Sequence, residues 1–336
     1  MPRSMSRLAR ILCPFLLLGA ASPPPPDTET PGPPFFTALR VADLRLATIA
    51  YRLTTANVAL CDQVQPQFGM PIHALTQYGA AARPGAMRVF GFETVVAVEA
   101  VVPGGPAARA GVQAGDSIAA INGRTQPMLP ASPQDDPRAR DTADALLASG
   151  AAAAPVALSV LRGGRRVAFR VTPVPGCRSR FEILLGSGLD AGADGALVQI
   201  GERFFENYDD PEIAVIVAHE LAHNILRHRV RLDAAKVSRG MLAEFGRNGR
   251  LIRQTEDDAD RLGIYLLANA GYDPMAAPAF WRSKGGDIDG GLFRSRTHAS
   301  SKARADALEA LAKQIAEIPK RPIIPDILGT CNVPLR

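Results

Sequence analysis

Between Ile213 and Leu226 an apolar run is interrupted by two histidines and a glutamate, in the string Ala218-His219-Glu220-Leu221-Ala222-His223. An α-helix turns about 100° per residue, so side chains four apart stand one above the other. The spacing therefore predicts two imidazoles aimed at a single point, with Glu220 beside them. Neutral imidazoles suit Zn²⁺, and a neighbouring carboxylate can take a proton from water acidified by that ion. A buried helix that merely carries two histidines is the bland alternative, and the rest of the chain has to decide between them.

Start signals for this helix are strong: Asp209 as N-cap, Pro211 at the first position and Glu212 in the first turn. It is expected to run to about Arg229. Ahead of it, Phe181 to Leu185 and Ala196 to Ile200 read as strands joined by a turn over Asp190 to Gly195. A strand in this position often lies along a substrate cleft and pairs with bound peptide. Two histidines leave a zinc site one protein ligand short. The chain has five histidines, at 73, 219, 223, 228 and 298. The metzincin pattern is excluded, since Arg229 stands where its third histidine belongs and Leu226 where it needs glycine. His228, five residues past His223, falls about 140° round a continuous helix. It is read as a histidine complementing the dipole at the helix C-terminus. A second helix, Arg250 to Asn269, is closed by Gly271 and carries Glu256 and Asp260 on one face. Glu256 would complete a His₂Glu site, and Asp260 would accept the free ring N–H of a ligand histidine. A solvated acidic face is the ordinary fate of such a run, and Asp257 and Asp258 are assigned to it.

His219-Glu220-x-x-His223 followed by Glu256-x-x-x-Asp260 resembles the HtpX-like and CAAX prenyl protease 1-like zinc metallopeptidases, of the gluzincin group. Thr297-His298 with Arg304 resembles that family's Thr-His…Arg segment, although Ala299 departs from its usual proline. The resemblance implies one Zn²⁺ per chain on His219, His223 and Glu256, with His298 and Arg304 at the catalytic face. His298 would either stabilise the oxyanion or bind the zinc as a fourth ligand. Glu220 would be the general base of peptide-bond hydrolysis. A zinc-stabilised binding or chaperone protein is the rival reading, and the presence of Glu220 favours the enzyme.

From Met87 to Pro175 the texture changes to short β-rich runs and glycine turns. Thr94 to Val102 reads as a strand, Asp116 to Gly123 as a strand ended by Asn-Gly, and Asp141 to Ser149 as a helix. Val156 to Leu161 and Arg166 to Val171 read as a hairpin. The string Pro103-Gly-Gly-Pro-Ala-Ala-Arg-Ala-Gly111, with Asp116 to Gly123 after it, resembles bacterial-type PDZ domains over residues 85–175. Such domains add a peptide to a sheet edge and capture its terminal carboxylate on backbone amides. Val89-Phe90-Gly91-Phe92 is the candidate carboxylate loop, though the span from it to Pro103 is short for a PDZ domain. A PDZ-shaped spacer that shields the cleft is the alternative.

The expected architecture is α+β, a mainly helical peptidase domain with a β-rich PDZ domain inserted. Residues 1–21 read as a secretory signal, with Arg3, Arg7 and Arg10 ahead of the apolar Ile11 to Leu18 and small residues at 19–21. Residues 22–34 hold seven prolines and read as a linker. Residues 35–80 contain a long amphipathic helix, Thr37 to Asp62, expected to pack on the peptidase domain at 177–318; 319–336 is a tail. The formal charge of +5 falls to +2 without the signal, so no nucleic-acid surface is indicated. No stretch of the remainder is apolar enough to span a membrane. An exported, periplasmic or secreted protein follows, acting on protein or peptide substrates, with exposed C-terminal tails as PDZ partners. Cys61, Cys177 and Cys331 would give one disulfide and one thiol, their pairing open.

Overall fold

The computed structural model describes residues 31–132, 134–186, 188–237, 246–288 and 301–335. The signal-like segment at 1–21, the linker as far as Thr30, and His298 lie outside them. Helix α1, Pro33–Ala56, starts two residues inside the proline-rich stretch, because proline at the first turn lacks only an N–H the helix does not use. Its two halves serve different cores. Leu46, Ile49 and Leu53 join the peptidase core, whereas Phe36 packs with Phe90 and Phe92.

After Cys61 the chain leaves on strand β1, Val64–Gln67, and returns on β8, Val174–Cys177, the two pairing antiparallel as a neck. A disulfide joins Cys61 to Cys177 at the foot of that neck, which settles the pairing and leaves Cys331 free. Between the neck strands lie β2 (Ile72–Ala74), α2 (Arg83–Phe90), β3 (Val96–Val98), α3 (Pro106–Ala110), β4 (Ser117–Ile121), β5 (Arg124–Thr125), α4 (Arg138–Ala148), β6 (Val156–Arg162) and β7 (Arg165–Val171). The sheet order is β2-β3-β4-β6-β7 with β5 on β4, so β2 is a free edge. Asn122 and Gly123 both have positive φ, 47° and 78°, as the expected Asn-Gly turn requires. Ile118, Ile121, Val156, Leu158 and Leu147 fill the core beneath the sheet.

The second part begins with β9 (Arg180–Leu184), β10 (Ala191–Ala193) and β11 (Leu197–Gly201). Their order is β10-β11-β9, with β9 and β11 parallel and β10 antiparallel to β11. The segment expected as a simple turn thus contains an edge strand, because two parallel strands need a crossover to connect them. Helices follow: α5 (Glu202–Asn207), α6 (Asp210–Ile225), α7 (His228–Ala234), α8 (Gly246–Asn269), α9 (Ala276–Ile288) and α10 (Ser301–Ala316). Helix α6 is buried on nearly every side, against α8, α9, β11 and α1. The fold is α+β. None of the described helices is long and apolar enough to cross a membrane.

Candidate metal centre

Asp209 and Glu212 close a reciprocal capping box at the start of α6, with bonds of 2.9 and 3.0 Å, fixing where the helix begins and therefore where His219 and His223 point. Helix α8 lies against that face. Gly263 has no side chain to hold the helices apart, and a Cβ there would already touch the His219 backbone at 3.6 Å. The approach brings Glu256 Oε2 to 3.2 Å from His219 Nε2 and 3.6 Å from His223 Nε2, the two ring nitrogens being 3.1 Å apart. Ligands about 2.0–2.1 Å from a tetrahedral Zn²⁺ are separated by about 3.3 Å. The triangle fits one such ion, and it is the one group of three His, Cys, Asp or Glu side chains among the described residues close enough to hold a metal.

Behind the triangle the polar chain continues. His219 Nδ1 donates to Asp260 Oδ1 at 2.9 Å, leaving Nε2 for the metal. Arg304, from α10, clamps Asp260 with Nε to Oδ2 at 2.7 Å and Nη2 to Oδ1 at 2.5 Å. Its guanidinium lies 3.4 Å from the centre of the Trp281 ring on α9. Arg304, expected at the catalytic face, is therefore buried behind Asp260 and acts on His219 through it. The segment that holds it is a helix packed on α9.

The electrostatics call for a cation. Burial opposes charge on Glu256, yet the two imidazoles hold its carboxyl well below the usual range. Burial likewise opposes charge on Asp260, but Arg304 and His219 hold it down at about 2. Burial would lower His219, and the hydrogen bonds to Asp260 and Glu256 override it and raise the ring to about 10. A positive charge at the triangle is thus favoured before any metal enters. Glu220 differs: burial lifts its carboxyl above the usual range, and no hydrogen bond holds it among the described residues. It is a carboxyl poised to take up a proton.

Helix α6 ends at Ile225, not near Arg229. Arg227 adopts a left-handed conformation, φ 55°, and His228 opens the next helix instead of ending this one. The break turns the ring back toward the site, with Nδ1 2.9 Å from His223 Nδ1. Burial, reinforced by His223 and Arg231, pushes His228 down to about 2, so it carries no charge to complement a dipole. That reading is corrected. The metal triangle opens into a cleft of about 270 Å³ whose far wall is the free edge of β10, Ala191-Gly192-Ala193. Asn224 ties this wall to α6, accepting from Gly195 N–H at 2.7 Å and donating to Ser179 Oγ at 2.9 Å. Sequence reasoning missed β10 as a strand; its small residues after a turn signal were the available hint.

The proposed carboxylate loop is also corrected. Phe90 ends α2 and Gly91 caps it, with Phe90 and Phe92 fully buried against Phe36, Tyr78 and His73. The loop before the edge strand is Phe68-Gly69-Met70. The carbonyls of Phe68 and Gly69 accept from Ala107 and Val102, while Gly69 has φ +67°. The N–H groups of Phe68, Gly69 and Met70 make no hydrogen bond among the described residues. The three residues line a cavity of about 920 Å³ together with residues of β2, α4, α1 and β9.

Comparison with known proteins finds a PDZ domain family and metalloendopeptidases. The PDZ domain family matches residues 97–130. A stretch of 118 residues is 32% identical to the mitochondrial metalloendopeptidase OMA1 of Schizosaccharomyces pombe, covering 29% of this chain and 35% of that protein. Another, of 119 residues, is 31% identical to the mitochondrial metalloendopeptidase OMA1 of Arabidopsis thaliana, covering 30% of this chain and 24% of that protein. The match thus spans about a third or less of these relatives. Among solved structures, the HtrA-type protease AlgW with a decapeptide overlaps 33% of this chain and 30% of that one at 24% identity and a TM-score of 0.25. The HtrA3 PDZ domain bound to a phage-derived ligand overlaps 34% of this chain and 88% of that one at 22% identity and a TM-score of 0.24, and neither overlap is close enough to add weight. A His₂Glu cluster on paired helices, beside an inserted PDZ domain, defines a metallopeptidase-like protein. The chain is a relative of metalloendopeptidases that carries a PDZ domain.

Proposed function

We propose that this protein is a zinc-dependent endopeptidase of exported or misfolded proteins, in the HtpX-like and CAAX prenyl protease 1-like group. The observation that carries this reading is the ligand triangle of 3.1, 3.2 and 3.6 Å with Glu220 adjacent in sequence and buried beside it. Zinc held there by His219, His223 and Glu256 would supply a Lewis acid for the scissile carbonyl and acidify the attacking water. Glu220 accepts the proton of that water and returns it to the leaving amine, a role its raised proton affinity suits. Asp260 and Arg304 fix the His219 tautomer. The edge of β10 offers backbone groups to an extended substrate, and Ala-Gly-Ala lets that backbone come close.

The three free N–H groups at Phe68-Gly69-Met70 would take the terminal carboxylate of a substrate tail laid along β2. Export is supported by the signal-like residues 1–21 and by the Cys61–Cys177 disulfide, which suits an oxidising compartment. The test is Glu220→Gln. Zinc content and thermal melting should stay at wild-type values while casein cleavage falls by about 10²–10⁴-fold or more. Cleavage retained by that variant would remove the general-base assignment.

A further inference from the structure

The two zinc-ligand histidines do not receive the same support. His219 is oriented by a carboxylate, as described. The corresponding atom of His223, Nδ1, meets no carboxylate among the described residues; it lies 2.9 Å from Nδ1 of His228, a ring 1% exposed. We infer that His228 is the positioning residue of His223, an uncharged imidazole acceptor held in place by the segment Asn332–Leu335. This rests on the reading that His223 binds the metal.

The proton count fixes the roles. A ring that offers Nε2 to a metal carries its proton on Nδ1, so His223 donates and His228 Nδ1 must accept. His228 then carries its own proton on Nε2. That atom is buried and has no hydrogen-bond partner among the described residues. A buried N–H without an acceptor is unfavourable, and an apolar residue of similar size would avoid it. Its presence is explained if Nδ1 is needed as a lone pair at that point.

The route by which His228 gets there is equally specific. On a continuous helix it would point away from His223. The left-handed Arg227 reverses the chain and aims the ring back, a conformation that costs a side-chain-bearing residue energy and persists only when surroundings enforce it. Three contacts do so. Arg227 Nη1 donates to Asn332 Oδ1 at 2.7 Å. Arg231, one turn on, donates from Nε to the Val333 carbonyl at 3.0 Å. Leu335 is buried against Val237 and Leu251. Residues far along the chain thus strap down the turn that supplies the acceptor.

The asymmetry has a chemical sense. Asp260 is neutralised by Arg304, so its pairing with His219 adds no net charge to the site. No guanidinium is hydrogen-bonded at His228 among the described residues as Arg304 is at Asp260, so a carboxylate there would lack the clamp that neutralises Asp260. A neutral acceptor orients the ring without needing one.

The experiment measures zinc affinity of the full chain by competition with a chromophoric chelator, alongside the melting temperature of the metal-free protein. His228→Leu removes the lone pair and should weaken zinc binding about 10–100-fold. His228→Asn places a side-chain oxygen near the old Nδ1 position and should recover affinity to within about threefold of wild type. Asn332→Ala, remote from the ligands, should weaken zinc less than His228→Leu, and in the same direction. Wild-type affinity in His228→Leu overturns the inference, and His228→Asn as weak as His228→Leu overturns the acceptor role in favour of packing. Wild-type protein that takes up no zinc would instead overturn the metallopeptidase reading itself.

Discussion

Two clusters of buried ionisable side chains lie in this molecule, and they have opposite fates. At the metal centre, Glu256 and Asp260 are held down and His219 is held up, so these three groups favour their charged forms. Where α1 meets the PDZ sheet, burial drives Asp43 and Glu99 up, His73 down to about 3, and the Tyr78 hydroxyl up, each toward its neutral form. Burial opposes charge in both places. The difference is that opposite charges meet at hydrogen-bonding distance in the first, each within about 3 Å of the next, whereas the second sets two carboxyls together beside a histidine wedged between aromatic rings. Arg40 is nearby in the second, but its Nε and Nη2 make no hydrogen bond among the described residues. Charge survives burial only where it is paired at hydrogen-bonding distance. A histidine count cannot separate the two clusters, and their neighbours can.

The sharpest way to break this contrast is to remove one member of the paired set. Asp260→Ala would leave Arg304 buried, with its clamp on Asp260 gone, and His219 without its acceptor. Loss of a buried partner of this kind costs about 3–5 kcal/mol. We therefore expect a large fall in melting temperature and about 10–100-fold weaker zinc binding, read by denaturant unfolding and chelator competition. A variant with unchanged stability and zinc affinity would show that the pairing does not hold the site.

Much of the paired cluster was legible from the chain. His219, His223, Glu256 and Asp260 stand at helical spacings within long helices, and a helix fixes the relative positions of its own residues whatever packs around it. What was not legible depends on events between helices. His228 was placed on the wrong side because Arg227 is not a residue that announces a left-handed turn. The bond from Arg304 to Asp260 could not be read either, because the packing of α10 on α9 is invisible to spacing. The PDZ loop was misassigned for a related reason. Phe68-Gly69-Met70 and Phe90-Gly91-Phe92 are similar strings, and only the sheet pairing shows that the first leads into the edge strand β2.

Asp144 lies between the two extremes. It borders the larger cavity with Arg140 and Arg180 nearby, yet burial prevails over both arginines and raises its carboxyl to about 6. A carboxyl whose folded pKa exceeds its unfolded value near 3.8 binds protons more tightly when folded. Its ionisation thus destabilises the fold, not at all below about pH 4, increasingly through pH 6, and constantly above that. Asp144→Asn abolishes the effect. The variant should be more stable than wild type by about 1–2 kcal/mol at pH 7.5, a figure reduced for the partial solvent access of the site, and no more stable at pH 3.5. Urea unfolding at the two pH values measures it, and a gain that persists at pH 3.5 would place its origin elsewhere.

The smallest effect is expected at His73, where the neutral cluster can be tested directly. Its Nδ1 meets the Tyr78 hydroxyl at 2.8 Å, and its Nε2 is buried without a hydrogen-bond partner among the described residues. Its ring sits 4.6 Å from that of Phe90 and 4.5 Å from that of Phe92, centroid to centroid. His73→Phe would lose the bond to Tyr78 and remove the orphaned nitrogen while keeping an aromatic ring among aromatic rings. Opposing terms of about 1 kcal/mol each should nearly cancel, leaving stability within about 1 kcal/mol of wild type. Zinc affinity should not move, because the ring serves the PDZ-side packing alone. The same substitution at His219 would abolish metal binding. A His73→Phe variant that loses several kcal/mol, or releases zinc, would mean that this buried histidine does carry charge, and the distinction between the two clusters would fall with it.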